Sequence, residues 1–305
     1  MKYFFQLQYR RLERKMSEFG VIPLLGVAIL VILFVLLSKY LFYKIEEAHW
    51  FYVAISLLFV INLGNSSRIE KLSKIFKKNE FERIRLIENL SLAIPFSLFI
   101  LYEGVWLFAM IPLLLALILF KLNINFSRSI VWPTPFKKFP FEFIIGFRKS
   151  LFLIILAYFL FVKGIHVDNA NLSIASMGML FLISMSYCSK PERIYFIWIF
   201  NKTTITFLSY KIQSALSCTL ILTLPMLIGL VIFFSNRLWA VSLVFFIGFL
   251  LVVTMILAKY SAFPKEISLP QALLIGLSLW FPPFILFTIP IFYKQALKRL
   301  KPFVK

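Results

Sequence analysis

Long apolar runs alternate with short basic ones from one end of this chain to the other. Apolar stretches predict membrane-spanning helices near residues 21–37, 49–64, 86–102, 104–120, 151–162, 171–187, 212–234 and 238–258. Several reach the ~18–20 residues needed to cross a ~30 Å hydrocarbon core. The fifth is the weakest, being uninterrupted only over 151–162. A last apolar segment, 270–293, is broken near its middle by Pro282 and Pro283, which withhold backbone donors and disfavour continued helix. Each half is about a dozen residues, or ~18 Å of helix, too short to cross alone. A hairpin that dips in and returns is the expectation; a kinked ninth span is the alternative. At the other end, Phe5, Tyr9, Leu12, Met16 and Phe19 recur at helical spacing, with Arg10, Arg14, Lys15 and Glu18 elsewhere around the axis. That pattern predicts an amphipathic helix over 1–20 lying in the headgroup layer. The predicted fold class is an all-α polytopic integral membrane protein: about eight transmembrane helices, the interfacial N-terminal helix and the Pro-broken C-terminal hairpin.

Composition agrees with this class. Of 305 residues 61% are hydrophobic and 15% charged, against about 25% charged in a soluble domain. The net charge of +20 does not mark a nucleic-acid binder, because the cations are spread between spans instead of gathered on one soluble face. They report topology and anionic headgroups. Alternating the connections puts 1–20, 65–85, 121–150, 188–211, 259–269 and the tail on one side, with 29 of the 33 Lys and Arg residues. Only Lys39, Lys44, Lys163 and Arg237 fall opposite. The positive-inside rule makes the basic side cytoplasmic, with both termini on it. Trp50, Trp106 and Trp239 open spans at the opposite interface, where an amphipathic indole is favoured. Cys188 at the edge of one span and Cys218 inside another give neither a disulfide framework nor a metal site.

Catalytic chemistry is hard to find. The chain has no D-x-x-x-D pair, no H-E-x-x-H, no G-x-S-x-G and no G-x-x-x-x-G-K-[ST]. Asp168 is its only aspartate, and His166 beside it in an external turn is expected to be solvated. No catalytic, cofactor or metal residue is expected. Glu88 and Lys211 are the deepest ionisable side chains in the predicted spans, each within about a turn of the basic boundary, where long side chains reach water. Arg85 and Glu88, three apart on one helix, are expected to pair locally. An ion-coupled pathway would need ionisable groups at membrane depth, so energy for any transport must come from outside the chain.

The basic connections carry a pattern of their own. Residues 65–85 hold seven Lys and Arg, yet Ile69, Leu72, Ile75 and Phe76 form an apolar stripe on the predicted helix. The stretch "SRIEKLSKIFKK" is echoed by "KPERIYFIWIFNK" after the sixth span. Each leads through a second short segment to a proline-bearing span, "SLAIPFSLF" or "LILTLPMLI", and then to a span beginning at Trp. The echo predicts two parallel halves of four spans, consistent with an even-numbered repeat. The expected organisation is 1–20, the interfacial helix; 21–150, the first half with cytoplasmic helix 65–85; 151–260, the second with loop 188–211; and 261–305, the hairpin and basic tail.

In the amphipathic N-terminal helix, the span pairs with minimal external loops, and the helix "SRIEKLSKIFKKNEFERIRLIENL" before a proline-bearing span, the chain resembles the membrane (permease) subunit of bacterial exporter-like ABC transporters. In that family such intracellular helices sit in a groove of a separate ATPase subunit and transmit its closure to the spans. The resemblance implies a first coupling surface of Arg68, Ile69, Phe76, Lys77 and Arg85, and a second of Glu192, Arg193, Phe200 and Lys202. It further implies ATP on the partner and none in this chain, an amphipathic or lipid-like cargo, and residence in the bacterial inner membrane. Pairing would be with a second copy or a related permease, among lipids and without nucleic acid. The competing expectations are a non-transporting membrane scaffold that binds a cytoplasmic partner and, third, a lipid-modifying membrane enzyme.

Overall fold

The structure, a computed structural model, describes residues 2–121, 132–136, 141–200 and 203–304. Thirteen α-helices and no β-strand form among the described residues. They are α1 (Lys2–Phe19), α2 (Pro23–Lys44), α3 (Ala48–Leu63), α4 (Ser66–Ile75), α5 (Lys78–Tyr102), α6 (Trp106–Leu119) and α7 (Phe141–His166). The second part adds α8 (Ala170–Tyr187), α9 (Ile194–Trp198), α10 (Thr204–Phe233), α11 (Leu238–Ala262), α12 (Leu269–Trp280) and α13 (Ile285–Leu300). Six helical segments are long and apolar enough to cross a membrane: α2, α5, α7, α8, α10 and the stretch Ser235–Ala262 that contains α11. Shorter apolar helices are α3, α6 and α12. This is a helical membrane protein.

Three local outcomes sharpen the sequence reading. The basic stretch 65–85 is not one helix. Lys77 is extended (φ −64°, ψ 153°) and caps a new helix, so α5 runs unbroken from its polar first turns into the apolar segment around Pro95. The weak fifth apolar run belongs to a helix of 26 residues, α7, which starts at Phe141. Residue 150, the expected boundary between halves, lies inside it.

The C-terminal segment turns back on itself. Pro282–Phe284 form a single 3-10 turn between α12 and α13. The hydroxyls of Ser278 and Thr288 lie 3.1 Å apart, whereas residues ten apart in a continuous helix would be separated by ~15 Å. Gln271 near the start of α12 lines one cavity with Gln295 and Lys298 near the end of α13. The two helices therefore form a hairpin.

The chain divides into two compact units, residues 1–17 with 21–130 and residues 18–20 with 131–305. In the first, α3 packs on both α5 and α6, with α5 and α6 side by side. Tyr52, Phe96, Phe99 and Ile100 form its core, and Phe34 of α2 meets Phe96 edge-on at 5.5 Å. Ser38 and Tyr52 share a hydroxyl hydrogen bond. Leu41 and Phe42 of α2 also pack on this core, while most of the helix faces outward, with only Gly26 and Ser38 buried. In the second unit α8 is central and touches α7, α10 and α11, while α13 lies along α11. Small residues allow this. At Gly248 a Cβ would stand 2.4 Å from the Phe181 ring, so α8 and α11 approach through the missing side chain. The order of elements repeats between units: two helices, a short helix, a proline-bearing helix, and a helix with Trp in its first turn.

Candidate functional site

The ends of the helices that the sequence marks as basic hold nearly all the ionic structure. In the first unit, Arg68 of α4 donates from Nη1 to the Leu63 carbonyl at 3.2 Å and pairs through Nη2 with Glu88 of α5. A cation thus caps the C-terminal end of α3, where the helix dipole favours it. Arg85 is buried and reaches the Leu119 carbonyl at the end of α6, at 3.5 Å. The expected local pair between Arg85 and Glu88 gives way to the pair between Arg68 and Glu88, because α4 folds back beside α5. Ile69 is buried, and Phe76 is half-buried with its ring 5.6 Å from Phe4 of α1. Phe4, Leu72 and Ile84 complete this small core. The apolar stripe of α4 is thereby covered within the unit, leaving Lys77 and Ile75 exposed.

In the second unit the segment between α8 and α10 carries Glu192, Arg193 and Phe200; Lys202 lies outside the described residues. Arg193 is exposed, as are Tyr195, Phe196, Trp198 and Ile199 around α9. Phe200 is half-buried against Phe207 and Tyr210. Glu192 turns inward. It meets Glu142 from the first turn of α7, Lys211 from the second turn of α10, and Lys259 and Tyr260 from the last turn of α11.

These side chains form an alternating square of charge. Lys259 Nζ lies 2.7 Å from Glu142 Oε1 and 3.6 Å from Glu192 Oε1. Lys211 Nζ donates to Glu192 Oε1 and stands 4.0 Å from Glu142 Oε1. Tyr260 donates its hydroxyl to Glu192 Oε2 at 2.8 Å. Lys259 retains 1% side-chain exposure. An isolated buried ammonium would be prohibitive, but here each of the two ammoniums faces a carboxyl group. Glu142 at a helix N-terminus and Lys259 at a C-terminus also complement their helix dipoles. The Lys211 ammonium lies 5.5 Å from the Phe200 ring centre and that of Lys259 4.7 Å from Tyr260, adding cation–π attraction. Burial alone would raise the Glu192 carboxyl, but the charges of Lys259 and Lys211 hold it well below the usual carboxylate range. The Cys188 thiol beside the cluster is pushed by burial up to about 12, which makes it a poor nucleophile.

Chemically, the arrangement is a clamp. It ties the segment leading into α9 to the ends of three long helices. Glu142, Lys259 and Tyr260 were not legible as members. The available signal was isolation: Glu142 and Glu192 are each the sole acid over a long, otherwise basic or apolar region. The turn between α7 and α8 has its own logic. Asn169 Oδ1 accepts from the Leu172 N–H to cap α8, and Asp168 takes a left-handed φ of 52° in the turn before it.

A correspondence between the units emerges from these contacts. Arg68–Glu88 joins α4, the short helix after α3, to the third turn of the proline-bearing α5, over 20 residues. Glu192–Lys211 joins the residues just before α9 to the second turn of the proline-bearing α10 over 19 residues, with the charges reversed. No known protein family, characterised protein or solved structure matches the chain.

Proposed function

We propose that this chain is the transmembrane subunit of an ABC-type transporter, coupling a separate ATP-binding subunit to movement of an amphipathic or lipid-like substrate. The observation that carries the reading is the repeated clamp. Each half has a short helix at its basic end, α4 or α9, tied through Arg68 within α4 or Glu192 just before α9 by an ion pair to the long proline-bearing helix. A partner that moves either short helix would therefore move the long helices behind it. On this reading the chain makes eight spans in two parallel sets of four, with both termini cytoplasmic and the C-terminal hairpin re-entering from that side. The ATP site lies on the partner, and two permease chains, identical or related, complete the pathway. Broad exposed apolar faces on α2, α7 and α10 suit a cargo handed along a lipid-like surface.

The docking surface differs in emphasis from the one the resemblance implies. Ile69, Phe76 and Arg85 support the short helix from within, while Ile75, Lys77, Arg193 and Trp198 face outward. The test is therefore an Ile75→Asp/Lys77→Glu variant purified in gentle detergent beside the wild type. Loss of a co-purifying P-loop ATPase, with normal insertion and elution, supports the reading. Equal retention of that ATPase by the variant overturns α4 as the coupling element.

A further inference from the structure

We propose that the second unit carries a binding site for the headgroup of an anionic phospholipid, at the base of the α12–α13 hairpin. A cavity of about 770 Å³ opens there between the end of α11, the start of α12 and the end of α13. This volume lies within the ~300–1,000 Å³ range of small-molecule sites. Its polar lining is Ser261, Gln271, Gln295, Lys298 and Arg299, with Phe263 and Phe303 beneath. No carboxylate lines it, and neither Lys298 nor Arg299 is in an ion pair with a described carboxylate. Two cations without an anionic partner among the described residues thus converge on one concavity. Glu266, the nearest acid in sequence, is not part of the lining.

The polar floor is prearranged. Gln271 accepts from the Ser268 backbone N–H and hydroxyl at 2.8 Å each, and its Nε2 donates to Ser261 at 3.2 Å. The aromatic pair behind it is packed edge-on at 5.1 Å. Two cations and the remaining Nε2 proton of Gln271 over an apolar base match a phosphodiester with its glycerol.

Location selects the lipid among phosphate-bearing anions. Ser261 follows Lys259 and Tyr260 directly, so the cavity sits at the basic end of the unit. The hairpin above it exposes Leu273, Leu277 and Leu286, an apolar surface along which acyl chains pack. Basic pockets between membrane helices on the cytoplasmic face are suited to anionic headgroups. The inference does not depend on an ATPase partner.

The test is native mass spectrometry of the full chain released from nanodiscs of equal phosphatidylglycerol and phosphatidylcholine. Wild-type protein is expected to retain phosphatidylglycerol selectively. Lys298→Gln/Arg299→Gln should lower that retention roughly thirtyfold, each basic group near an anionic surface being worth about fivefold. Lys71→Gln/Lys74→Gln removes the same charge from α4 and should leave retention unchanged. An equal fall in both variants means diffuse charge attraction and overturns the site. Displacement of the lipid by millimolar inorganic phosphate assigns the cavity to a soluble anion and overturns the lipid. A Lys298→Arg variant that keeps retention guards against a folding artefact.

Discussion

Replacing Lys259 by Met should destabilise the second unit by about 3–5 kcal/mol, the usual result of stripping one partner from a buried ion pair. The figure follows from the distances. At an effective dielectric of about 20, the contacts at 2.7 Å to Glu142 and 3.6 Å to Glu192 are worth about 6 and about 5 kcal/mol. Against this stand the several kcal/mol needed to desolvate the ammonium and its repulsion by Lys211. The substitution also leaves Glu142 with only Lys211, 4.0 Å away. The double variant Lys259→Met/Glu142→Leu removes one cation and one anion together, leaving Glu192 paired with Lys211. It should recover most of the loss, to within about 1–2 kcal/mol of wild type. In detergent the single variant should lower the apparent unfolding temperature by about 10 °C, at roughly 2–4 °C per kcal/mol for a unit of this size. A single variant within about 2 °C of wild type, or a double variant as unstable as the single, would refute the clamp.

Three further outcomes are expected. Glu88→Gln should cost the first unit about 1–2 kcal/mol, less than the Lys259 change because Arg68 is 32% exposed and screened; the check is the same thermal scan. The hairpin predicts that cysteines placed at Glu266 and Lys301 react with an impermeant thiol reagent from the same side of sealed vesicles; labelling from opposite sides means a ninth span. Both native cysteines are buried, so background labelling is low. Because the Glu192 pKa is depressed on folding, its stabilisation is present above the ordinary value of 4.5 and is lost as pH falls through and below it. Wild type should therefore lose thermal stability below about pH 4.5 more steeply than Glu192→Gln does.

Local features were legible and pairings through space were not. The apolar runs placed the long helices, the Pro282–Pro283 break placed the turn of the hairpin, and Trp106 and Trp239 marked where α6 and α11 begin. The spacing of Ile69, Leu72 and Phe76 gave an apolar stripe but not what covers it, and Phe4 of α1 covers part of it. Arg85 and Glu88 share a helix, so periodicity favoured their pairing; Arg68 reaches Glu88 only because α4 doubles back after Gly64. The four-charge cluster draws on residues up to 117 positions apart, joined only when helix ends meet. Lys77 also shows how far a basic, helix-forming composition can mislead: one extended residue divides 65–85 into two helices.

Mass spectrometry of everything that co-purifies with the tagged wild-type protein in gentle detergent tests the proposed function most directly. The account predicts a P-loop ATPase in stoichiometric amount, held through nucleotide-free washing. A clean preparation of this chain without any ATPase would contradict it, leaving α4 and α9 as helices that meet only lipid or an unrelated partner.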